Sequence, residues 1–180
     1  MRSRVKQVEL AVLGILEKES LHGYELRKRI LRICGPSIGL SFSTLYPQLR
    51  RMVEAGLVSH ESVAKTARSK RARVIYSITD IGRMEFSEIA QAPSEDALDD
   101  EEFQIRVAFF SSTPKKNRVR ILEERLFELR KKRHAIQQSL DNSEESIDRY
   151  LQEWNRHLLE RAENEIDWLR KSIKREGLVI

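Results

Sequence analysis

This sequence lacks the features that identify disulfide-bonded, membrane-spanning and secreted proteins. It contains one cysteine, Cys34, so no disulfide can form within the chain and a reducing cytoplasm fits. No run of about 18 apolar residues is present, which excludes a membrane-spanning helix. The basic amino-terminal stretch reaches an acidic residue at Glu9 and lacks a small-residue cleavage site, so we do not expect a signal peptide. These absences indicate a cytoplasmic protein without a membrane partner.

The residue patterns of enzymes and metal proteins are also missing. His22, His60, His134 and His157 have no metal-ligand spacing with one another or with Cys34. The chain has no glycine-rich phosphate loop, and no nucleophile has an evident base partner. We therefore expect no catalysis, no metal and no cofactor.

The charge is distributed unevenly along the 180 residues. Residues 1–83 carry 16 Lys/Arg against 7 Asp/Glu, a net charge of +9. Residues 84–180 carry 17 against 21, a net charge of −4. This asymmetry indicates that the first half meets a polyanion and that the second half has another role.

Apolar spacing in the first half predicts three helices, over residues 5–17, 22–33 and 43–55. The first has a broad apolar face that includes Val5, and the third ends at Gly56 in the left-handed conformation common after helices.

Two segments of strand character follow, over residues 57–63 and 73–79, and then a helix with Thr79 or Asp80 as its N-cap. Three helices, a β-hairpin and a fourth helix describe a winged helix-turn-helix.

The third helix contains the stretch STLYPQLRRM, in which a proline interrupts an amphipathic pattern. With Thr44 as N-cap, Pro47 falls in the first turn, where its missing N–H removes no helical hydrogen bond, and with Ser43 as N-cap it removes only the first one. At 100° per residue, a buried stripe leaves Thr44, Pro47, Arg51 and, less fully, Arg50 and Gln48 pointing away. Hydroxyl, amide and guanidinium groups at this position suit base edges and phosphates, and the Pro47 and Tyr46 rings suit a thymine methyl. The alternative is the solvated face of an ordinary packing helix.

The predicted hairpin has a strongly basic tip. Five of the nine residues from 65 to 73 are basic and none is acidic. Such a run is commonly only a solvated surface, but it follows a helix-turn-helix pattern where a wing belongs. We therefore expect these residues to contact phosphates or the minor groove.

Residues 91–102 are rich in acidic and small residues and indicate a connector between a domain over residues 1–91 and another over 92–180. A short helix is expected within FQIRVAFF, then two long amphipathic helices joined by a turn. A heptad-like apolar seam, with Arg133 as its one polar member, predicts self-association as a two-fold dimer. The expected dimerisation residues are Leu122, Leu126, Leu129, Ile136, Leu151, Trp154, Leu158, Ile166 and Leu169.

The motifs LAVLGIL, LHGYELRKRI, STLYPQLRRMVEAGLV and IYSITDIGR, in this order, resemble the PadR family of bacterial transcriptional regulators. The second half is similar to the larger C-terminal domain of one PadR subgroup. The resemblance implies a dimer that represses promoters at palindromic sites, with Tyr24 near the DNA backbone, Ser43, Thr44 and Tyr46 at the groove, and residues 65–73 as the wing. Wings of the family often have a Gly-Arg-Pro-like segment where this chain reads SKRAR.

Together these observations predict a mainly α fold with a small β-hairpin wing, in which a winged helix-turn-helix precedes a helical-hairpin dimerisation domain. The expected partner is double-stranded DNA with a palindromic operator. The expected DNA-binding residues are Tyr24, Ser43, Thr44, Tyr46, Gln48, Arg50, Arg51, Lys65, Arg68, Lys70, Arg71 and Arg73. The alternative is an adaptor that docks on proteins through its helical hairpin and winged helix.

The two tryptophans of the last helix raise a separate question of ligand binding. Trp154 and Trp168 are expected to pack in the core or at a dimer interface, as large aromatic residues usually do. The resemblance adds the alternative of a small aromatic effector, for which Trp154 is the candidate contact.

Overall fold

The structure is a computed structural model that describes residues 2–35, 42–63, 73–94, 96–141 and 148–178. Within these residues no helix is long and apolar enough to cross a membrane. The chain is mainly helical with a small antiparallel sheet, as predicted. Its elements are α1 (Arg2–Leu16), β1 (Leu21–His22), α2 (Gly23–Cys34), α3 (Phe42–Glu54), β2 (Val58–Val63), β3 (Arg73–Ile78), α4 (Asp80–Gln91), α5 (Asp100–Ala108), a 3-10 turn (Phe110–Ser112), α6 (Lys115–Asp141) and α7 (Arg149–Leu178).

The chain divides into two units. The first comprises Met1–Glu95 and Asp99–Thr113, and the second Asp96–Leu98 and Pro114–Ile180. Helix α5 therefore packs with the first unit, against α1 and α2, although the sequence-based division at residue 91 assigns it to the second domain. Helical periodicity identifies α5 but does not say which neighbours cover it. The functional division into a DNA-binding and a dimerisation domain stays a prediction.

The core of the first unit is built around α1. All residues from 10 to 13 of this helix are buried, and Leu26 and Ile30 of α2 are fully buried against the same core. The apolar face of α1 begins later than predicted, because Val5 is 40% exposed in the first turns of the helix.

The sheet has three strands in the order β1-β3-β2 and is antiparallel throughout. The predicted hairpin is formed by β2 and β3, paired from Val58↔Ile78 to Val63↔Arg73. The sequence did not predict β1, in which His22 pairs with Ile75, and α2 accordingly begins at Gly23 rather than at His22. A two-residue strand has no alternation by which a sequence reading finds it.

The turn between α3 and the sheet fixes the position of the hairpin. Gly56 has a φ of 72°, the left-handed conformation predicted for it. The Thr79 hydroxyl donates to the Gly56 carbonyl oxygen at 2.6 Å and accepts from the Gly82 N–H at 3.0 Å, so it caps α4 while holding this turn. A Cβ at position 82 would lie 2.1 Å from the Leu57 carbonyl oxygen, which only glycine permits.

The second unit is an antiparallel pair of long helices. Charged pairs join α6 to α7: Arg125 Nε donates to Glu165 Oε1 at 2.6 Å, and Arg118 Nη2 to Glu176 Oε2 at 2.7 Å. Five of the expected dimerisation residues are buried within this single chain: Leu122, Leu126, Leu129, Ile166 and Leu169. They stabilise the hairpin itself, because the seam that predicted a dimer is satisfied within one chain.

Candidate DNA-binding surface

The proline of α3 lies deeper in the helix than the sequence indicated. The helix begins at Phe42, so Pro47 lies inside it rather than in the first turn. An N–H at position 47 would have donated to the carbonyl oxygen four residues earlier, at Ser43, so the proline removes one helical hydrogen bond. The expectation that Pro47 removes none, which took Thr44 as the N-cap, is therefore wrong, because both Ser43 and Thr44 lie inside the helix. The side chains of Ser43 and Thr44 lie outside the described part of the structure.

The two faces of α3 separate much as the pattern predicted. Leu45, Leu49 and Met52 are buried in the core. On the other side Pro47, Arg50 and Arg51 are exposed, and the Tyr46 ring is 40% exposed. A rigid apolar ring, a phenol and two guanidinium groups therefore share the solvent-facing surface of one helix.

Gln48 is the exception, because the structure buries it to 8% exposure. It stands three residues after Leu45 and four before Met52, which places it on the edge of the apolar stripe. The interpretation that Gln48 points toward a groove is therefore wrong for this chain.

A cleft of about 540 Å³ adjoins the exposed face of α3. It is lined by His22 of β1, by the start of α2 at residues 23–25, by Tyr46 and by Val74 and Tyr76 of β3. The Tyr46 hydroxyl oxygen would lie 2.9 Å from a Cβ at position 23, so glycine there allows α3 to approach the beginning of α2. His22 Nδ1 lies 3.2 Å from the Val74 carbonyl oxygen and ties this end of α2 to the hairpin.

Tyr76 lies between the hairpin and α3. Burial raises the pKa of the Tyr76 phenol, the nearby Tyr46 raises it further, and Arg50 opposes both. The His60 ring of β2 lies against Tyr76 with centroids 6.3 Å apart. Side chains of α3, β2 and β3 thus meet at one place.

The sequence reading missed the contributions of Tyr76 and His22 to this cleft. Tyr76 was recognisable only as one residue of an alternating strand, and His22 only as the first residue of a helix. Tyr24 was expected at the DNA backbone, and it is 61% exposed at the rim of the same cleft.

The described part of the wing ends before its basic tip. Lys65, Arg68, Lys70 and Arg71 lie outside the described residues. Arg73 begins β3, but its side chain is outside the description. The paired strands place both ends of this loop at the far end of the hairpin from α4.

The remaining expected residues lie on the second unit. Leu151 and Trp154 are about half exposed on α7, at 49% and 54%, while Ile136 and Leu158 are only partly buried. The Trp154 ring lies against His157 with centroids 5.5 Å apart. Across the described ranges, no three His, Cys, Asp or Glu side chains are grouped closely enough to hold a metal ion.

Comparison with known proteins identifies a family, a curated protein and solved structures that are similar to this chain. Residues 12–88 match the transcriptional regulator PadR-like family. The negative transcriptional regulator PadR of Bacillus subtilis is 23% identical over 175 residues, which cover 92% of this chain and 94% of the relative. The crystal structure of Bacillus subtilis PadR in complex with operator DNA has a TM-score of 0.43 at 21% identity and covers 93% of this chain and 98% of that one. The structure of the same protein in complex with p-coumaric acid has a TM-score of 0.42 at 23% identity and covers 96% and 97%.

The matched residues 12–88 contain α2, α3, the hairpin and most of α4, which are the elements that form the surface described above. Similarity to a family of transcriptional regulators favours DNA binding over the adaptor alternative. Residues 12–88 are similar to the transcriptional regulator PadR-like family.

Proposed function

We propose that this chain is a cytoplasmic, dimeric transcriptional repressor that binds palindromic operator DNA through α3 and the basic hairpin. The observation that carries the proposal is the exposed face of α3, where Tyr46, Pro47, Arg50 and Arg51 lie together outside a fully buried stripe. A helix of this composition, ahead of a hairpin with a basic tip, suits the major groove.

The exposed groups of α3 supply the chemistry of base recognition. Arginine donates two parallel hydrogen bonds to the O6 and N7 atoms of guanine, or grips phosphate. The apolar edges of Pro47 and Tyr46 suit contact with a thymine methyl. Arg51, an exposed cation on this face of α3, is our candidate for base contact together with Thr44.

The affinity is proposed to come mainly from phosphate contacts. The residues at the hairpin tip, Lys65, Arg68, Lys70 and Arg71, would release counterions from the duplex, as would Arg73. Tyr24, exposed at the start of α2, would donate its hydroxyl to a phosphate oxygen. The net charge of +9 over residues 1–83 supports this assignment.

The proposed dimer uses the apolar surface that the α6–α7 hairpin leaves exposed. In this proposal the surface includes the exposed Leu151 and Trp154 and the partly buried Ile136 and Leu158. A two-fold dimer matches the symmetry of a palindrome and would place paired recognition helices roughly 34 Å apart along the duplex.

The repressor role follows the name of the Bacillus subtilis relative, a negative transcriptional regulator. A small aromatic effector remains part of the proposal because Trp154 presents half of its ring to solvent beside His157. Quenching of tryptophan fluorescence by candidate planar molecules tests that part separately, and the Trp154→Phe variant, which keeps Trp168, should lose the quenching.

A gel-shift experiment with the DNA upstream of the chain's own gene tests the proposed function. We expect a discrete complex that survives an excess of unrelated DNA. Absence of any complex at low salt, with a folded dimer confirmed by sedimentation, would contradict the proposal.

A further inference from the structure

A second cavity, of about 220 Å³, lies within the first unit and away from the cleft beside α3. It is lined by α1, α4 and α5, and its apolar walls come from Leu10, Ile89 and Ile105. Its volume is below the range of about 300–1,000 Å³ typical of pockets for drug-sized ligands, so it suits a smaller molecule.

Most polar groups that line this cavity have partners within the protein. Arg106 Nε donates to Glu102 Oε1 at 2.9 Å, and Arg106 Nη1 donates to the Ala92 carbonyl oxygen at 3.0 Å. The Glu102 carboxylate also accepts from the Ser94 hydroxyl at 2.8 Å. Gln7 Nε2 donates to Asp99 Oδ2 at 2.9 Å. These contacts hold the end of α4 against α5, and they use most of the hydrogen-bonding capacity that these groups could offer a ligand.

Two carboxylates on the cavity wall are different. Glu9 on α1 and Glu85 on α4 are both partly buried, and neither accepts a hydrogen bond from a described group. Burial and the charge of Glu85 raise the pKa of Glu9, and they outweigh the opposing charge of Lys6. Lys6 also lines the cavity, and Arg106 is paired with Glu102, so the wall keeps a negative charge that the protein compensates only in part.

We propose that this cavity binds a small organic cation, an alkyl or arylalkyl amine. Its ammonium group would lie between Glu9 and Glu85, and its apolar body against Leu10, Ile89 and Ile105. A charge-assisted hydrogen bond to each carboxylate supplies the counter-charge that the wall lacks. An anion of the same shape is repelled, and a neutral molecule leaves the carboxylates uncompensated. This assignment does not depend on the proposed binding of DNA.

Isothermal titration calorimetry of the full chain with 2-phenylethylamine tests the site. The matched probes are 2-phenylethanol, which replaces the ammonium group with a neutral hydroxyl, and phenylacetate, which carries the opposite charge. We expect the amine to bind at least about tenfold more tightly than the alcohol, since hydrogen bonds to charged groups are the stronger ones, and phenylacetate to bind most weakly. Equal binding of amine and alcohol, or no binding of the amine at millimolar concentration, would overturn the proposal.

Variants then locate the binding. Glu85→Gln and, independently, Glu9→Gln should each weaken amine binding about tenfold while leaving binding of the alcohol unchanged. The matched control is Glu88→Gln, which removes the same charge from an exposed position of α4 outside the cavity. Both test variants keep the side-chain size and remove a repulsion, and thermal unfolding confirms that they are folded. If Glu88→Gln weakens binding as much as Glu85→Gln does, the amine is held by surface charge alone and the assigned site is wrong.

Discussion

At the scale of single residues, the structure assigns roles that composition alone does not suggest. Gly82 and Gln48 are examples. A glycine inside a predicted helix indicates only reduced helix propensity, but Gly82 is required because the backbone of the turn at Leu57 passes directly over it. Gln48 is polar and shortly precedes Arg50 and Arg51 in the sequence, yet it is buried. Both outcomes depend on which element packs against the helix.

Gly82→Ala should lower the free energy of unfolding by about 1–3 kcal/mol or more, because the new Cβ would lie 2.1 Å from the Leu57 carbonyl oxygen and force the backbone to shift. Chemical denaturation measures the change. Gly177→Ala is the control, since a Cβ there meets nothing within 4 Å; it should leave stability unchanged or raise it by up to about 1 kcal/mol. Equal stability of the two variants would show that α4 does not approach the turn as described.

Glu9→Gln should stabilise the protein near neutral pH by up to about 1 kcal/mol, the scale of partly exposed charge interactions. The pKa of Glu9 is raised above its ordinary value of 4.5. The folded state therefore binds the proton more tightly than the unfolded chain, and the destabilisation is absent below pH 4.5 and develops as pH rises through the raised pKa.

Urea denaturation of the Glu9→Gln variant and the unchanged protein at about pH 4 and pH 7 measures this linkage. The two proteins should be equally stable at the lower pH and differ at the higher one. A variant that is less stable than the unchanged protein at pH 7 contradicts the assignment.

At the scale of elements, much of the fold was predictable because local periodicity controls it. The stripe of Leu45, Leu49 and Met52 predicted the buried face of α3, and alternation in residues 73–79 predicted β3. Strand β1 was not predictable, since two residues define no period. The cleft and the enclosed cavity were not predictable either, because each is lined by three or more segments whose packing no single pattern encodes.

The basic hairpin tip should contribute affinity without sequence preference. Arg68→Ala and Arg71→Ala should each flatten the dependence of log K on log salt by about one unit, because each removes one phosphate contact. The reduction should be the same for operator and random DNA. Fluorescence anisotropy across a salt series measures both slopes.

Arg32→Ala is the matched control for the hairpin variants, because it removes the same charge from an exposed position in the last turn of α2. If this control flattens the slope as much as the hairpin variants do, the affinity follows net charge and the tip has no special role.

At the scale of the whole molecule, the hairpin of α6 and α7 buries its own apolar seam and leaves Leu151 and Trp154 about half exposed, and we propose that these two residues lie in the dimer interface. Leu151→Ser and Trp154→Ala should each raise the dimer dissociation constant about 10- to 100-fold, as expected for removal of a large apolar side chain from an interface. Sedimentation velocity over a concentration series measures the change.

Met84→Ser is the control for the dimer variants, since Met84 is an equally large apolar residue, 66% exposed on α4 of the first unit. It should leave association unchanged. Dimers that persist in both α7 variants would place the interface elsewhere on the chain.

The central claim is that the exposed face of α3 reads DNA sequence. Footprinting of the upstream DNA defines an operator, and fluorescence anisotropy at one fixed salt concentration compares it with a scrambled duplex for the unchanged protein and for Arg51→Ala. The account predicts one dimer per palindrome and a loss of about 1–3 kcal/mol of discrimination in the variant, with little change on scrambled DNA. Equal loss of affinity for both duplexes would contradict it, because Arg51 would then contact only phosphate.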